Sequence, residues 1–277
     1  MPAFYFQKLE LLSRNNVIIC GFQMPEHLPI IYRDDYLVVI NKPSGLLVHR
    51  SEIDRHETRF ALQLVRDQIG QQVFPVHRLD KPTAGILVFA LSPEIAKKLG
   101  DIFFQHDLEK KYLALVRGHA PATVTVDHPL TEELDKYTDK KARTDKPAQT
   151  ALTEFKTLAT IELPFSVDKY PRTRYSLVEC KPSTGRKHQI RRHLKHISHP
   201  IIGDAKHGKG IHNRFFQEQF DCGGLMLAAT ELHFTHPVTQ IPVNLIAPLE
   251  EKFVRILHKF NWHNSVPSFW LEPFDAP

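Results

Sequence analysis

Three cysteines, Cys20, Cys180 and Cys222, are all that 277 residues contain, and no two are closely spaced. That leaves no disulfide framework, zinc ribbon or redox dithiol to organise the chain, and a reducing cytoplasm is the compartment such usage predicts. Long apolar runs are lacking too. Nothing approaches the roughly 20 residues that cross a bilayer, and Val17–Phe22 is too short for the hydrophobic region of a secretory signal. Neither membrane insertion nor export is expected. Internal repeats and low-complexity tracts are missing, which excludes a repeat architecture. Neither sign of charge dominates: 36 Lys and Arg stand against 31 Asp and Glu, a net charge of +5, with 17 histidines besides. A mildly basic chain of this kind tolerates a polyanion without demanding one.

With 42% hydrophobic, 24% charged and 10% aromatic residues, the composition is that of a folded globular protein with a sizeable core. Residues 1–27 have no clear period and read as an N-terminal extension, with Met24 as an alternative start. From Leu28 the pattern sharpens. Pro29–Tyr32, an Asp34-Asp35 turn and Tyr36–Ile40 read as a strand pair ending in the loop Asn41-Lys42-Pro43-Ser44-Gly45. The short branched run Ile86–Ala90 reads as a buried strand. Ser92-Pro93-Glu94 supplies an N-cap, a first-turn proline and an acid at the positive end of a helix dipole, with Ile95, Leu99, Ile102 and Phe103 on the apolar face. Lys110–Arg117, Ala151–Leu158, Arg174–Cys180, Leu225–Ala229, Leu232–Phe234 and Ile241–Ile246 read as strands. A helix is expected to open at Ser183-Thr184-Gly185 and end at His199-Pro200, and a last one carries Leu249, Phe253, Ile256, Leu257 and Phe260. Thr131–Lys146, charged with both signs, reads as an exposed insertion, and residues 263–277 as a loosely held tail. Strands and helices do not alternate as a repeated βαβ pattern. The expected class is therefore α+β, a mixed, largely antiparallel sheet with flanking helices.

Three segments can carry chemistry. His77-Arg78-Leu79-Asp80 precedes a buried strand, where a rigid scaffold can hold a polar side chain at a cleft, although an Arg near an Asp is also an ordinary local ion pair. In Gly185–His196, helical spacing puts Ile190, Leu194 and Ile197 on one face, His188, Arg192 and Lys195 on the opposite one, and Arg191 on the border. From Arg186 to Arg214 there are eight Lys or Arg and one acid, Asp204, the local excess that suits a phosphate-rich ligand. A plain solvated basic face has the same composition. His188, His193, His196 and His199 lack a regular ligand pair with a nearby carboxylate, and crowded cations disfavour a metal ion, so none is expected. Tyr112, among Lys110 and Lys111, is either strand packing or a platform for an unstacked base.

In this order the segments resemble the RluA-type family of RNA pseudouridine synthases over Leu28–Trp262. The resemblance is carried by Asn41–Gly45 with Val48-His49, by His77–Asp80 with Thr83 and Gly85, by Tyr112, by Gly185-Arg186-Lys187-His188-Gln189-Ile190-Arg191 and by His199–Asp204. Two positions depart from the family pattern: Ala84 stands where Ser is usual, and Ala229 ends a run where relatives often carry His-Ala. The resemblance implies a catalytic domain over residues 28–262 with the pseudouridine synthase fold. It leaves too little chain before the first motif for an S4-like RNA-binding domain. It also implies isomerisation of a uridine with Asp80 as the essential carboxylate, acting either as nucleophile or as base. Either role needs an ionised group, hence a neighbouring cation, for which Arg191 is the candidate. Tyr112 would stack the flipped base, Arg78 would fill the vacated space or hold a flanking nucleotide, and Arg186, Lys187, Arg192 and Lys195 would grip backbone. No cofactor or metal is implied, and a monomer is expected. Within the family, Val48–Ser51, Arg66–Gln71, Tyr170–Tyr175 and Asp204–Gly208 are similar to a tRNA-acting member, which implies tRNA as the substrate. Ribosomal RNA, or a non-catalytic RNA-binding role that would not need Asp80, are the alternatives.

Overall fold

The computed structural model describes residues 27–50, 57–133 and 147–272. The proposed extension before His27, most of the charged 131–146 stretch and residues 273–277 lie outside them. Along the chain run β1 (Ile30–Arg33), β2 (Leu37–Lys42), α1 (Ala61–Ile69), β3 (Phe74–Pro75), β4 (Ala84–Ala90), α2 (Pro93–Gln105), β5 (Leu108–Arg117), β6 (Thr123–Asp127) and β7 (Leu152–Leu163). There follow β8 (Thr173–Pro182), α3 (Gln189–His196), α4 (Gly210–Phe220), β9 (Leu227–Thr235), β10 (Pro242–Ile246) and α5 (Glu251–Lys259). The strands form one mixed sheet in the order β1-β2-β4-β9-β5-β8-β7-β6, with β10 beside β9 and β3 beside β4. All the pairings are antiparallel except β4 with β9. The expected mixed, largely antiparallel sheet with flanking helices is what forms.

Strand alternation explains the layering. In β2 and β4, Val38, Ile40, Leu87 and Phe89 pack with Ala61 and Val65 of α1. Their neighbours Leu37, Val39, Ile86, Val88 and Ala90 face the other way onto Ile95 and Leu99 of α2. A strand pair covered on both faces has no polar side to show, which is why Ile86–Ala90 reads as an unbroken apolar run. A second, larger core joins β5, β8 and β9 to Ile190 and Leu194 of α3, Phe216 of α4 and Phe253, Ile256 and Leu257 of α5.

Helix α2 begins where its cap signal puts it: the Ser92 hydroxyl accepts the Ile95 N–H at 3.2 Å, with Pro93 in the first turn. Ser92→Ala is expected to cost about 1 kcal/mol, and a thermal melt should fall by about 2–4 °C. Helix α3 departs from expectation. It opens at Gln189, not at Ser183–Gly185, because the Gln189 carboxamide takes the polar groups a capped helix would have used. Its Oε1 accepts the Thr184 hydroxyl at 2.7 Å and the Arg186 N–H at 3.0 Å, while its Nε2 donates to Leu152 O and Thr153 Oγ1. His188 then turns the chain at φ 56° into the helix. The two short strands expected at 225–234 are one continuous strand, β9. The segment after Trp262 is not loose as far as residue 272: Trp270 is buried, and its carbonyl accepts the Leu249 N–H at 2.8 Å. Cys180 and Cys222 are buried free thiols. Among the described residues no helix is long and apolar enough to cross a membrane.

The parallel contact of β4 with β9 positions the site. There Gly85 (φ 110°) lies so close to its neighbour that a Cβ would sit 2.1 Å from the Ala229 carbonyl oxygen, a spacing only glycine permits. The two departures from the family pattern, Ala84 and Ala229, both fall in this register, where Ala84 faces Ala228 and Gly85 faces Ala229.

Candidate active site

Asp80 sits on the loop between β3 and β4, and the loop is pinned from several sides. The Thr83 N–H closes a turn onto Asp80 O at 3.0 Å, and Gly45 N–H donates to Lys81 O at 2.8 Å. Lys42, fully buried at the end of β2, donates its ammonium to the carbonyls of Pro43, Leu46 and Lys81 at 2.9, 2.8 and 3.1 Å. Burial drives its pKa down to about 7, against the pull of Glu250 and Asp80. The Asn41–Gly45 segment, read from the sequence as a loop and a family motif without an assigned role, thus clamps the loop that carries Asp80. His77 is a second pin. Its Nε2 accepts the Val88 N–H at 3.0 Å and its ring stacks on Phe103 at 4.7 Å. Burial pushes its pKa down to about 3, so the ring is neutral and acts as an acceptor.

Arg191 reaches Asp80 from α3. Its Nη1 donates to Asp80 Oδ2 at 2.8 Å, while its Nε and Nη2 form a fork on Asp204 at 2.7 and 2.9 Å. The Asp204 carboxylate is fully buried and also accepts the Lys206 and His207 N–H groups. Burial works against both charges, but the mutual hydrogen bonds win: the pKa of Asp204 is lowered and that of Arg191 raised. A guanidinium locked on one side by a planar carboxylate has one edge left to offer, and that edge faces Asp80.

Asp80 opens into a cleft lined by Arg78, Lys110, Tyr112, Arg186, His188 and Arg191 among others. Burial raises the Tyr112 hydroxyl pKa, helped by Asp80, so it remains a neutral phenol. Burial also brings Lys110 down to about 8 and His188, beside Asp80, down to about 4. The cleft therefore combines one carboxylate, one aromatic ring and a ring of cations.

Of the residues singled out from sequence, Asp80, Arg78, Tyr112, Arg186 and Arg191 meet in this cleft. Lys187, Arg192 and Lys195 do not line it. Lys187 donates to Glu133 O at 3.0 Å, Arg192 donates to Thr131 O at 2.9 Å, and Lys195 is exposed on α3. Asp204, Lys42, Lys110 and Glu133 were missed as site residues. Asp204 carried a signal as the one acid in an otherwise basic stretch, Lys42 as a member of the Asn41–Gly45 motif and Lys110 as a neighbour of Tyr112; Glu133 carried none. The histidine reading is also amended. No ligand set exists within α3, but Glu133, His188 and His207 bring three potential ligand atoms within 4.8 Å of one another. Lys206, Arg192 and Arg191 crowd that cluster with positive charge, which favours an anion over a metal ion.

A family model described as RNA pseudouridylate synthase matches residues 36–196. A protein of Vibrio cholerae named tRNA pseudouridine synthase C is 53% identical over 239 residues, covering 86% of this chain and 98% of the relative. Its namesake in Haemophilus ducreyi is 51% identical, covering 85% of this chain and 97% of the relative. Among solved structures, human RNA pseudouridylate synthase domain containing 4 superposes with a TM-score of 0.63 at 28% identity, covering 84% of this chain and 93% of the other.

Proposed function

The chain belongs to the RNA pseudouridylate synthase family, and from that membership we propose that it converts a specific uridine of tRNA to pseudouridine with Asp80 as the essential carboxylate. The observation that carries this reading is the Asp80–Arg191–Asp204 chain opening onto Tyr112 in a cationic cleft. The reaction breaks the N1–C1′ glycosidic bond, turns the uracil and rejoins it through C5. It neither oxidises nor hydrolyses, and this reading needs no cofactor, metal or second subunit. Asp80 attacks C1′ or removes the C2′ proton, and Arg191 orients the carboxylate for either step. The uridine must first leave its stack, at a cost of a few kcal/mol. Tyr112 offsets this by stacking on the extruded base, while exposed Arg78 fills the vacated place or holds a flanking nucleotide. Arg186, Lys187, Arg192 and Lys195 contact the phosphate backbone. Buried free thiols suit the cytoplasm, where such an enzyme meets tRNA.

The test is to incubate the purified chain with unmodified tRNA and ribosomal-RNA transcripts, without metal or cofactor, and to map pseudouridine by carbodiimide-primed reverse transcription. Product at one tRNA position is expected from wild type and none from Asp80→Asn. Product in ribosomal RNA alone would overturn the substrate assignment, and binding without product would overturn the enzymatic one.

A further inference from the structure

The carboxylate of Glu133 lies among nitrogens. Lys206 Nζ is in direct contact with it, His188 Nδ1 lies 3.5 Å away, Arg192 Nε 3.6 Å and His207 Nε2 3.9 Å. These groups come from α3, its leading turn and the loop before α4, and reach across more than fifty residues of sequence to one acid. Three of the four are largely enclosed, their side chains only 6–16% exposed, so the cradle is a built feature and not a fringe of solvated lysines. Its position is also specific. The other nitrogen of the His188 ring lies toward Asp80, with Nε2 3.9 Å from Oδ2, so a single imidazole separates the cradle from the cleft.

His188 Nδ1 and His207 Nε2 also share a hydrogen bond at 3.0 Å, so the imidazoles wall the cradle while its remaining donors are the Lys206 ammonium and the Arg192 guanidinium, which suit an oxyanion with several acceptor oxygens better than a single carboxylate. Resting on the RNA-modifying reading above, we infer that Lys206 and Arg192, beside the His188–His207 pair, form a subsite for a backbone phosphate of the RNA at or next to the target nucleotide, and that Glu133 occupies it until RNA arrives. The carboxylate keeps the donors apart and oriented while the site is unfilled, and excludes weakly held anions. A polyanion, which releases its own counterions on binding, displaces it. Glu133 therefore sets a threshold: it weakens all RNA binding, and weakens most the ligands that cannot place a phosphate in the cradle.

The test measures tRNA-transcript binding to the full chain over a series of salt concentrations. The proteins compared are wild type, Glu133→Gln, Lys206→Gln, the double variant, and Glu154→Gln, an exposed acid of β7, as the measure of a bare change of charge. Glu133→Gln is expected to bind at least about fivefold more tightly than wild type and clearly more tightly than Glu154→Gln. Adding Lys206→Gln to it should lose that gain and reduce the salt slope by about one, the loss of one phosphate contact. The inference is overturned if Glu133→Gln binds no better than Glu154→Gln, if Lys206→Gln has no effect once Glu133 is neutral, or if no variant binds tRNA. Pseudouridine mapped on the same samples separates the two claims: a binding gain without product would sink the enzymatic reading and leave the subsite standing.

Discussion

Asp80→Asn is expected to reduce pseudouridine formation by at least about a thousandfold, the scale on which enzymes lose rate when a covalent or general-base group is removed. Asparagine has the same shape but neither attacks a glycosidic carbon nor takes up a proton at neutral pH. The variant should nevertheless fold. Asp80 is 27% exposed, and its loop is held by main-chain bonds and by Lys42, none of which uses the carboxylate. Arg191 keeps its fork on Asp204, so no cation is left unpaired in the interior. The melting temperature should stay within a few degrees of wild type, and tRNA affinity should hold or rise slightly as a negative charge leaves the cleft. Single-turnover assay, thermal melt and filter binding on one preparation check all three. A variant inactive because it is unfolded, or one retaining a tenth of the wild-type rate, would remove Asp80 from the centre of the mechanism.

How much of this could be read from the chain depended on where each residue's partners lie. The β2–β4 pair and α2 were legible because their signals are local: branched apolar runs, and Ser92 three residues before the N–H it caps. Helices α1 and α4 were not, and neither has a side-chain cap; Phe60 and Lys209 precede them and reach the first turn only through their main-chain carbonyls. Strand β6, although it alternates, was overlooked between a turn and the charged stretch. In the site, Asp80, Tyr112 and Arg191 came from motifs in register. The jobs of the groups that hold them were not legible even where, as with Lys42 and Gln189, the residue lies inside a motif, because they act across sequence distance: Lys42 reaches Lys81, Glu133 reaches Lys206, and Gln189 reaches back to Leu152. Composition around Arg186–Arg214 announced a polyanion but not which cations are already engaged within the protein. Arg192 and Lys187, read as phosphate contacts, each already donate one bond to a main-chain carbonyl, of Thr131 and Glu133, before any RNA is bound.

The Arg191–Asp204 pair should separate stability from chemistry. Arg191→Leu removes the cation beside a fully buried carboxylate, and breaking a buried pair on one side costs about 3–5 kcal/mol; at about 2–4 °C per kcal/mol the melt should fall by about 6–20 °C. Activity should vanish as well, since Asp80 loses its only guanidinium contact among the described residues. Arg191→Leu with Asp204→Asn removes both charges, while the asparagine oxygen still accepts the Lys206 and His207 N–H groups. The double variant should regain at least half of the lost stability and none of the activity, a coupling that independent sites would not give. The pH dependence has a definite sign. Because the folded pKa of Asp204 lies below its ordinary value of 3.8, its contribution is complete above that value and is lost as pH falls through the folded one. Wild type should therefore lose stability on the acid side of pH 3.8, and the double variant should show a shallower acid limb in melts taken from neutral pH downward. If Arg191→Leu alone recovers activity at any pH, or if the double variant melts no higher than the single, the guanidinium is not what links the buried acid to the reacting one.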